Sequence, residues 1–237
     1  MSLHIQDDKE FRPLLDALKD ELVSAAVTFR LYQDLLAAKE KYSREMSQSW
    51  TFWSLTIDAL ADSTVYRIAK AYDHNKGSLD LRNFLALVQE RKDLFNPDKF
   101  LERLKDNPYA ESLSQISRVP KDERISAHLE FVHAASNPLV KRLVTWRDKY
   151  YAHRDPDHVL DPQTVDALLI TDVETLITEG VKIINCYSDL FTASVDSTKM
   201  IGHQDYESVL KAVRYRLDGY EAEIQRRLAE LQGEASG

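Results

Sequence analysis

Apolar positions recur four and three residues apart along most of the chain, with polar residues filling the intervals. Phe11, Leu15, Leu18, Leu22, Ala25, Phe29, Tyr32 and Leu36 form one such seam, which predicts a long helix from Phe11 to Tyr42. Pro13 is assigned to its first turn, where a missing N–H costs little. A second seam of Met46, Trp50, Trp53, Ile57, Leu60, Val65, Ile68 and Tyr72 predicts a helix from a Ser43 cap to Asp73. The turn His74-Asn75-Lys76-Gly77 ends it, with Gly77 free to take a positive φ.

Ser78 reads as the cap of a shorter helix carrying Leu81, Phe84, Leu85 and Val88. Pro97, Pro108 and Pro120 then punctuate the chain and leave a short helix over Lys99–Leu104. Helix resumes at Asp122 with Ile125, Leu129 and Val132. Asn137-Pro138 is a cap and first-turn pair that opens a helix to Ala152, with Leu139, Leu143, Trp146 and Tyr150 on its apolar face. Thr171-Asp172-Val173-Glu174 matches a capping box and predicts a helix over Asp172–Val195. A last helix, Gln204–Leu231, shows Tyr206, Leu210, Val213, Leu217, Tyr220, Ile224, Leu228 and Leu231 at near-heptad spacing.

Strand-like alternation is nearly absent, so the fold class is all-α, an antiparallel helical bundle with extra helices. Four long helices make its core: the first, the second, the one ending at Arg147–His153 and the one after Asp172. The expectation is one helical domain over residues 1–237, its core spanning 10–195. The helix over 204–231 serves as a strap or a dimer element.

Composition narrows this further. With 237 residues, 43% hydrophobic and 30% charged, the chain can bury a sizeable core. A formal charge of -8 argues against a protein that coats nucleic acid along its whole surface. The N-terminus lacks a signal-peptide pattern and no apolar run reaches membrane-spanning length, which reads as cytoplasmic with no membrane partner. Cys186 lies in an apolar helical run and reads as a buried, inert thiol. His128 and His133 read as structural, and Asp58 and Asp62 as partners of Arg67 or as solvated groups. No phosphate loop or zinc-finger spacing occurs, and no cofactor or metal is expected. The loop His153, Asp155, Asp157, His158 and Asp161 is rich in donors but fits no recognised ligand spacing.

Local charge singles out the stretch from Trp146 to Pro156. Between Lys141 and Arg154 five basic residues (Lys141, Arg142, Arg147, Lys149, Arg154) oppose one acid, Asp148. An anion is the expected partner of that excess. Arginine gives a fixed cation for a phosphate and histidine a group that titrates near neutrality, the pair that phosphodiester cleavage needs. Arg147 and His153 stand six residues apart, about 240° around an unbroken helix, so they would not share a face. Either the helix ends before His153 and the chain folds back, or a second subunit completes the site. Tyr151 adds a ring on which a base can stack.

The pattern Arg147-Asp148, with His153 after five intervening residues, resembles the signature of the HEPN superfamily. Phe52–Ser63, Ile68–Asp73 and Gly77–Leu79 look like its abortive-infection AbiU-type branch, with the likeness covering about residues 10–195. The resemblance implies a metal-independent endoribonuclease of a toxin–antitoxin or antiphage defence type. His153 would move the proton of a ribose 2′-hydroxyl, Arg147 would hold the phosphate and Asp148 would orient either group. Lys141, Arg142, Lys149, Arg154 and Tyr151 would contact RNA. It also implies a homodimer and an antitoxin protein as partners. The alternative is a noncatalytic module that binds RNA, nucleotide or a partner protein through the same stretch.

Overall fold

The computed structural model describes residues 3–152, 166–199 and 202–234, with the side chains of 150–152 and 234 outside that description. Among the described residues there is no strand. The order is α1 (Asp8–Lys41), α2 (Ser43–Ser47), α3 (Trp50–Ala71), α4 (Leu81–Glu90), a 3₁₀ turn (Lys92–Phe95), α5 (Pro97–Arg103), α6 (Ala110–Ser114), α7 (Asp122–Val132), α8 (Pro138–Trp146), a π-helical turn (Arg147–Ala152), α9 (Ile170–Thr192) and α10 (Asp205–Glu234). The all-α reading is thus correct. None of these helices is long and apolar enough to cross a membrane.

The helix ends show where local chemistry overruled the expected boundaries. Asp7 accepts from the N–H groups of Lys9 and Glu10, at 3.0 and 3.1 Å, so α1 starts earlier than the seam predicts. Pro13 consequently sits beyond the first turn and withholds a bond from the Lys9 carbonyl. The second helix is divided rather than continuous, because Gln48 and Ser49 donate to carbonyls three residues back, to Glu45 and Met46. Ser78 is not the cap of α4. Asp80 takes that place, accepting from the Asn83 N–H at 2.8 Å while the Ser78 hydroxyl donates to its other oxygen at 2.6 Å. Nor is Thr171 a cap. Asp172 reaches back to the Leu169 N–H at 3.0 Å, the half of a capping box that belongs to the third helical residue. Asn96 and Asn137 cap α5 and α8 as their Asn-Pro pairs require. Gly77 does take a positive φ, 89°.

The chain divides into two compact units, one over 1–28 and 62–198 and the other over 29–61 and 199–237. In the first, Phe11 packs against Phe84, Phe95 and Phe191 with ring centroids 5.4, 5.5 and 4.7 Å apart. Leu15, Leu18 and Leu22 of α1, Ile68 of α3 and Tyr72 just after it, Leu143 of α8 and Leu176 and Ile184 of α9 are buried in the same unit. These are the four helices expected to make the core, joined here by α4 and α7. Thr64 donates to the Thr28 hydroxyl at 3.0 Å, and Glu21 holds both Arg67 (3.1 Å) and Lys70 (2.6 Å). Arg67 therefore pairs with Glu21, a partner that the spacing of Asp58 and Asp62 did not suggest.

In the second unit Leu35, Ala38, Tyr42, Met46, Trp53, Ile57 and Leu210 form a separate core. Arg214 stacks on Tyr42, 4.8 Å from the ring centroid, and bonds the buried Glu45, so α10 is fastened over its first half.

Candidate functional site

Asn137 and Pro138 start α8, and Val140 and Leu143 bury its inner face. This fixes the direction in which the chain enters the motif. At Arg147 the backbone widens from α to π geometry through Ala152. A π turn adds one residue to each hydrogen-bonded ring and re-aims the side chains that follow, a distortion that occurs frequently at functional sites. Trp146, just before it, donates from its indole N–H to the Asp166 carbonyl at 3.1 Å, tying the end of α8 to the segment leading into α9.

Arg147 is half-buried, and its guanidinium is gripped by two carboxylates. Nη1 bonds Asp73, Nη2 lies 2.7 Å from Asp148 Oδ1 and Nε donates to the same oxygen at 2.9 Å. Burial lowers the pKa of Arg147, but the bonds to Asp148 and Asp73 outweigh it, and the net shift is upward. Asp73 in turn accepts from the His74 N–H at 2.8 Å and the Asn75 amide at 2.9 Å. Burial raises its pKa, while the Arg147 bond and charge and these two donors bring it below the usual 3.8. The fork of Arg147 is thereby oriented before any ligand arrives.

Asp73 also borders a cavity of about 320 Å³ whose polar edge is Glu21, Lys70, Asp73 and Ser78 and whose apolar wall includes Leu18 and Leu79. Beyond Asp73, His74 Nε2 donates to the Val132 carbonyl at 3.0 Å, and its ring lies 5.6 Å from that of His133. Behind this turn is buried Asp80, whose carboxyl is pushed up by burial, partly offset by bonds from Ser78 and the Asn83 N–H. Asp73 lies in a stretch that carries the family resemblance, where that resemblance assigns it no role. Its place opposite Arg147, 74 residues away in sequence, is the feature that sequence reasoning missed.

The other expected residues are distributed as follows. Asp148 is exposed and touches Arg147, Lys141 is exposed, and Lys149 is half-buried. Arg142 is directed into the fold, where it bonds Asp172, the same carboxylate that caps α9. His153, Arg154 and the donor-rich loop to Asp161 lie outside the described residues, as does the side chain of Tyr151. His128 is structural, as expected: its Nδ1 lies 2.9 Å from the Tyr187 hydroxyl. Cys186 is not fully buried, and Arg124 donates to its sulfur at 3.5 Å.

A family model described as AbiU2 (HEPN_AbiU2) matches residues 8–212, well over half of the chain. Comparison with curated proteins and with solved structures gave no match.

Proposed function

The chain belongs to the HEPN AbiU2 family, and we propose that it is a metal-independent endoribonuclease of a defence or toxin-type system. In this reading His153 takes the proton of a ribose 2′-hydroxyl as its oxygen attacks the adjacent phosphorus. The P–O5′ bond breaks, leaving a 2′,3′-cyclic phosphate and, once protonated, a 5′-hydroxyl. Arg147 stabilises charge on the non-bridging oxygens, and Asp148 orients it. Lys141, Lys149 and Arg154 supply phosphate contacts and Tyr151 a stacking surface. Arg142 contributes less, because Asp172 already holds it. A homodimer with the two motifs near one axis and an antitoxin protein complete the proposal.

One observation carries the reading: the Arg147 fork is held by Asp73 and Asp148 at the start of a π turn that leads toward His153. Preorganised donors are what stabilise developing charge without reorganisation during the reaction. The same observation favours a second reading. Two carboxylates already balance the guanidinium charge and take one N–H of each nitrogen, so a phosphate has fewer donors and less net charge to bind, as suits a module that binds without cleaving. Cleavage of single-stranded RNA in excess chelator separates the two. The wild type should produce cyclic-phosphate ends and His153→Ala none; equal cleavage by both removes His153 from the mechanism.

A further inference from the structure

From Asp218 to Gly233 every residue of α10 except Glu223 is exposed. Arg44 bonds Asp218 and Glu221 at 2.9 and 3.1 Å, and Glu223 pairs with Arg226 and Arg227 along the helix itself. Yet this half is not polar all round. Tyr220, Ile224, Leu228 and Leu231 are 54%, 54%, 47% and 63% exposed. With Leu217 they fall within an arc of about 80° at 100° per residue. In proteins most helical stability comes from burying such a face.

The spacing of the stripe identifies what covers it. Leu217 and Tyr220 precede Ile224 by seven and four residues, and Leu228 and Leu231 follow it by four and seven. The pattern is a palindrome about Ile224. Leu217 to Leu228, and Tyr220 to Leu231, are each eleven residues apart, a period close to that of an unstrained helix, so the stripe stays nearly straight. Two such helices laid antiparallel about a two-fold axis at Ile224 bring apolar residues together throughout. Ile224 meets its own copy, Tyr220 meets Leu228, and Leu217 meets Leu231. On the flanks Glu221 falls opposite Arg227, twice by symmetry. A parallel arrangement would use none of this self-complementarity.

We infer that the distal half of α10 is a homodimerisation element, pairing antiparallel with a second copy of this chain about Ile224. The stripe lies wholly beyond residue 212, where the family match ends, so the element is an addition of this chain to the matched region. It names the surface through which the proposed homodimer forms and so rests on that part of the proposal, but it does not depend on the nuclease reading.

Light scattering on the full chain at micromolar concentration tests it. The wild type should give twice the chain mass of 27.3 kDa. Ile224→Glu places two carboxylates face to face on the axis and should give the single mass, whereas Ala222→Glu, on the opposite face, should remain dimeric. Ile224 is exposed, so its loss leaves the fold of the chain intact. Orientation is tested by oxidation in a Cys186→Ser background. Leu217→Cys and Leu231→Cys chains should each form little disulfide alone and cross-link when mixed. A monomeric wild type, an Ile224→Glu variant as dimeric as wild type, or efficient Leu217→Cys self-cross-linking overturns the proposal.

Discussion

Gly180 lies within α9, one turn after Leu176, and an alanine there is expected to destabilise the protein. Its Cβ would stand 2.9 Å from Leu22 Cδ2 and 3.1 Å from the Tyr72 hydroxyl. Leu22 and Tyr72 are buried, and that hydroxyl donates to the Leu176 carbonyl at 2.7 Å. Burial pushes the Tyr72 pKa well above that of an ordinary tyrosine, so it stays a protonated donor. The absent side chain is what lets the hydroxyl reach a helix carbonyl. Alanine gains about 0.8–1.0 kcal/mol over glycine in a helix interior. Overpacking a filled core costs about 1–3 kcal/mol, and losing the Tyr72 bond costs about 1 kcal/mol more. The balance is a loss of about 1–3 kcal/mol, read as a lower urea midpoint at unchanged slope. In a Leu22→Ala background the nearest clash is gone, and the cost should shrink by about 0.5 kcal/mol or more. A Gly180→Ala variant as stable as wild type would refute this reasoning. Because Tyr72 directly precedes Asp73, such a failure would also loosen the explanation of how Asp73 is placed against Arg147.

Other outcomes follow from the two aspartates near the motif. The pKa of Asp73 is depressed in the fold, so it contributes stability above its unfolded value near 3.8 and loses it as pH falls through the folded value. Asp73→Asn should therefore flatten the acid limb of a urea-midpoint profile below about pH 4. Asp80 has the opposite sign: its pKa is raised, so its contribution is fully present below 3.8 and declines as pH rises through the folded value. Asp80→Ala should cost about 0.5–2 kcal/mol for the lost cap, and more for the stranded Ser78 and Asn83 donors. Asp80→Asn keeps an acceptor without the buried charge and should cost clearly less by thermal unfolding.

Much of the architecture was legible because burial imposes a period. The seam through Phe11–Leu22 and most of the seam through Met46–Tyr72 named residues that the folded chain buries, Trp50 being the exposed exception, and Asn137-Pro138 gave one helix start. What failed was chemistry with several equivalent solutions. Ser78 and Asp80 are both good caps, and only the path of the chain selects Asp80. Asp172 can serve a cap three residues before it as readily as Thr171 can serve as one. The widened turn at Arg147 leaves no compositional trace, since one inserted residue in a hydrogen-bonded ring changes no pattern of polarity. The Arg147–Asp73 pair joins residues far apart in one sequence, and nothing local in either segment specifies the other. Arg142 carried the same positive charge as its neighbours, and its inward path to Asp172 is a matter of packing.

The most direct test of the nuclease account compares Arg147→Lys with wild type in equilibrium RNA binding and in single-turnover cleavage, both in excess chelator. Lysine preserves the charge but cannot reproduce a planar fork held between Asp73 and Asp148. Binding should therefore change little. Cleavage should slow by about 100- to 1,000-fold, the usual consequence of removing one aligned donor from a developing oxyanion. If Arg147→Lys cleaves as fast as wild type, Arg147 is only an electrostatic contact and the noncatalytic module is the better account.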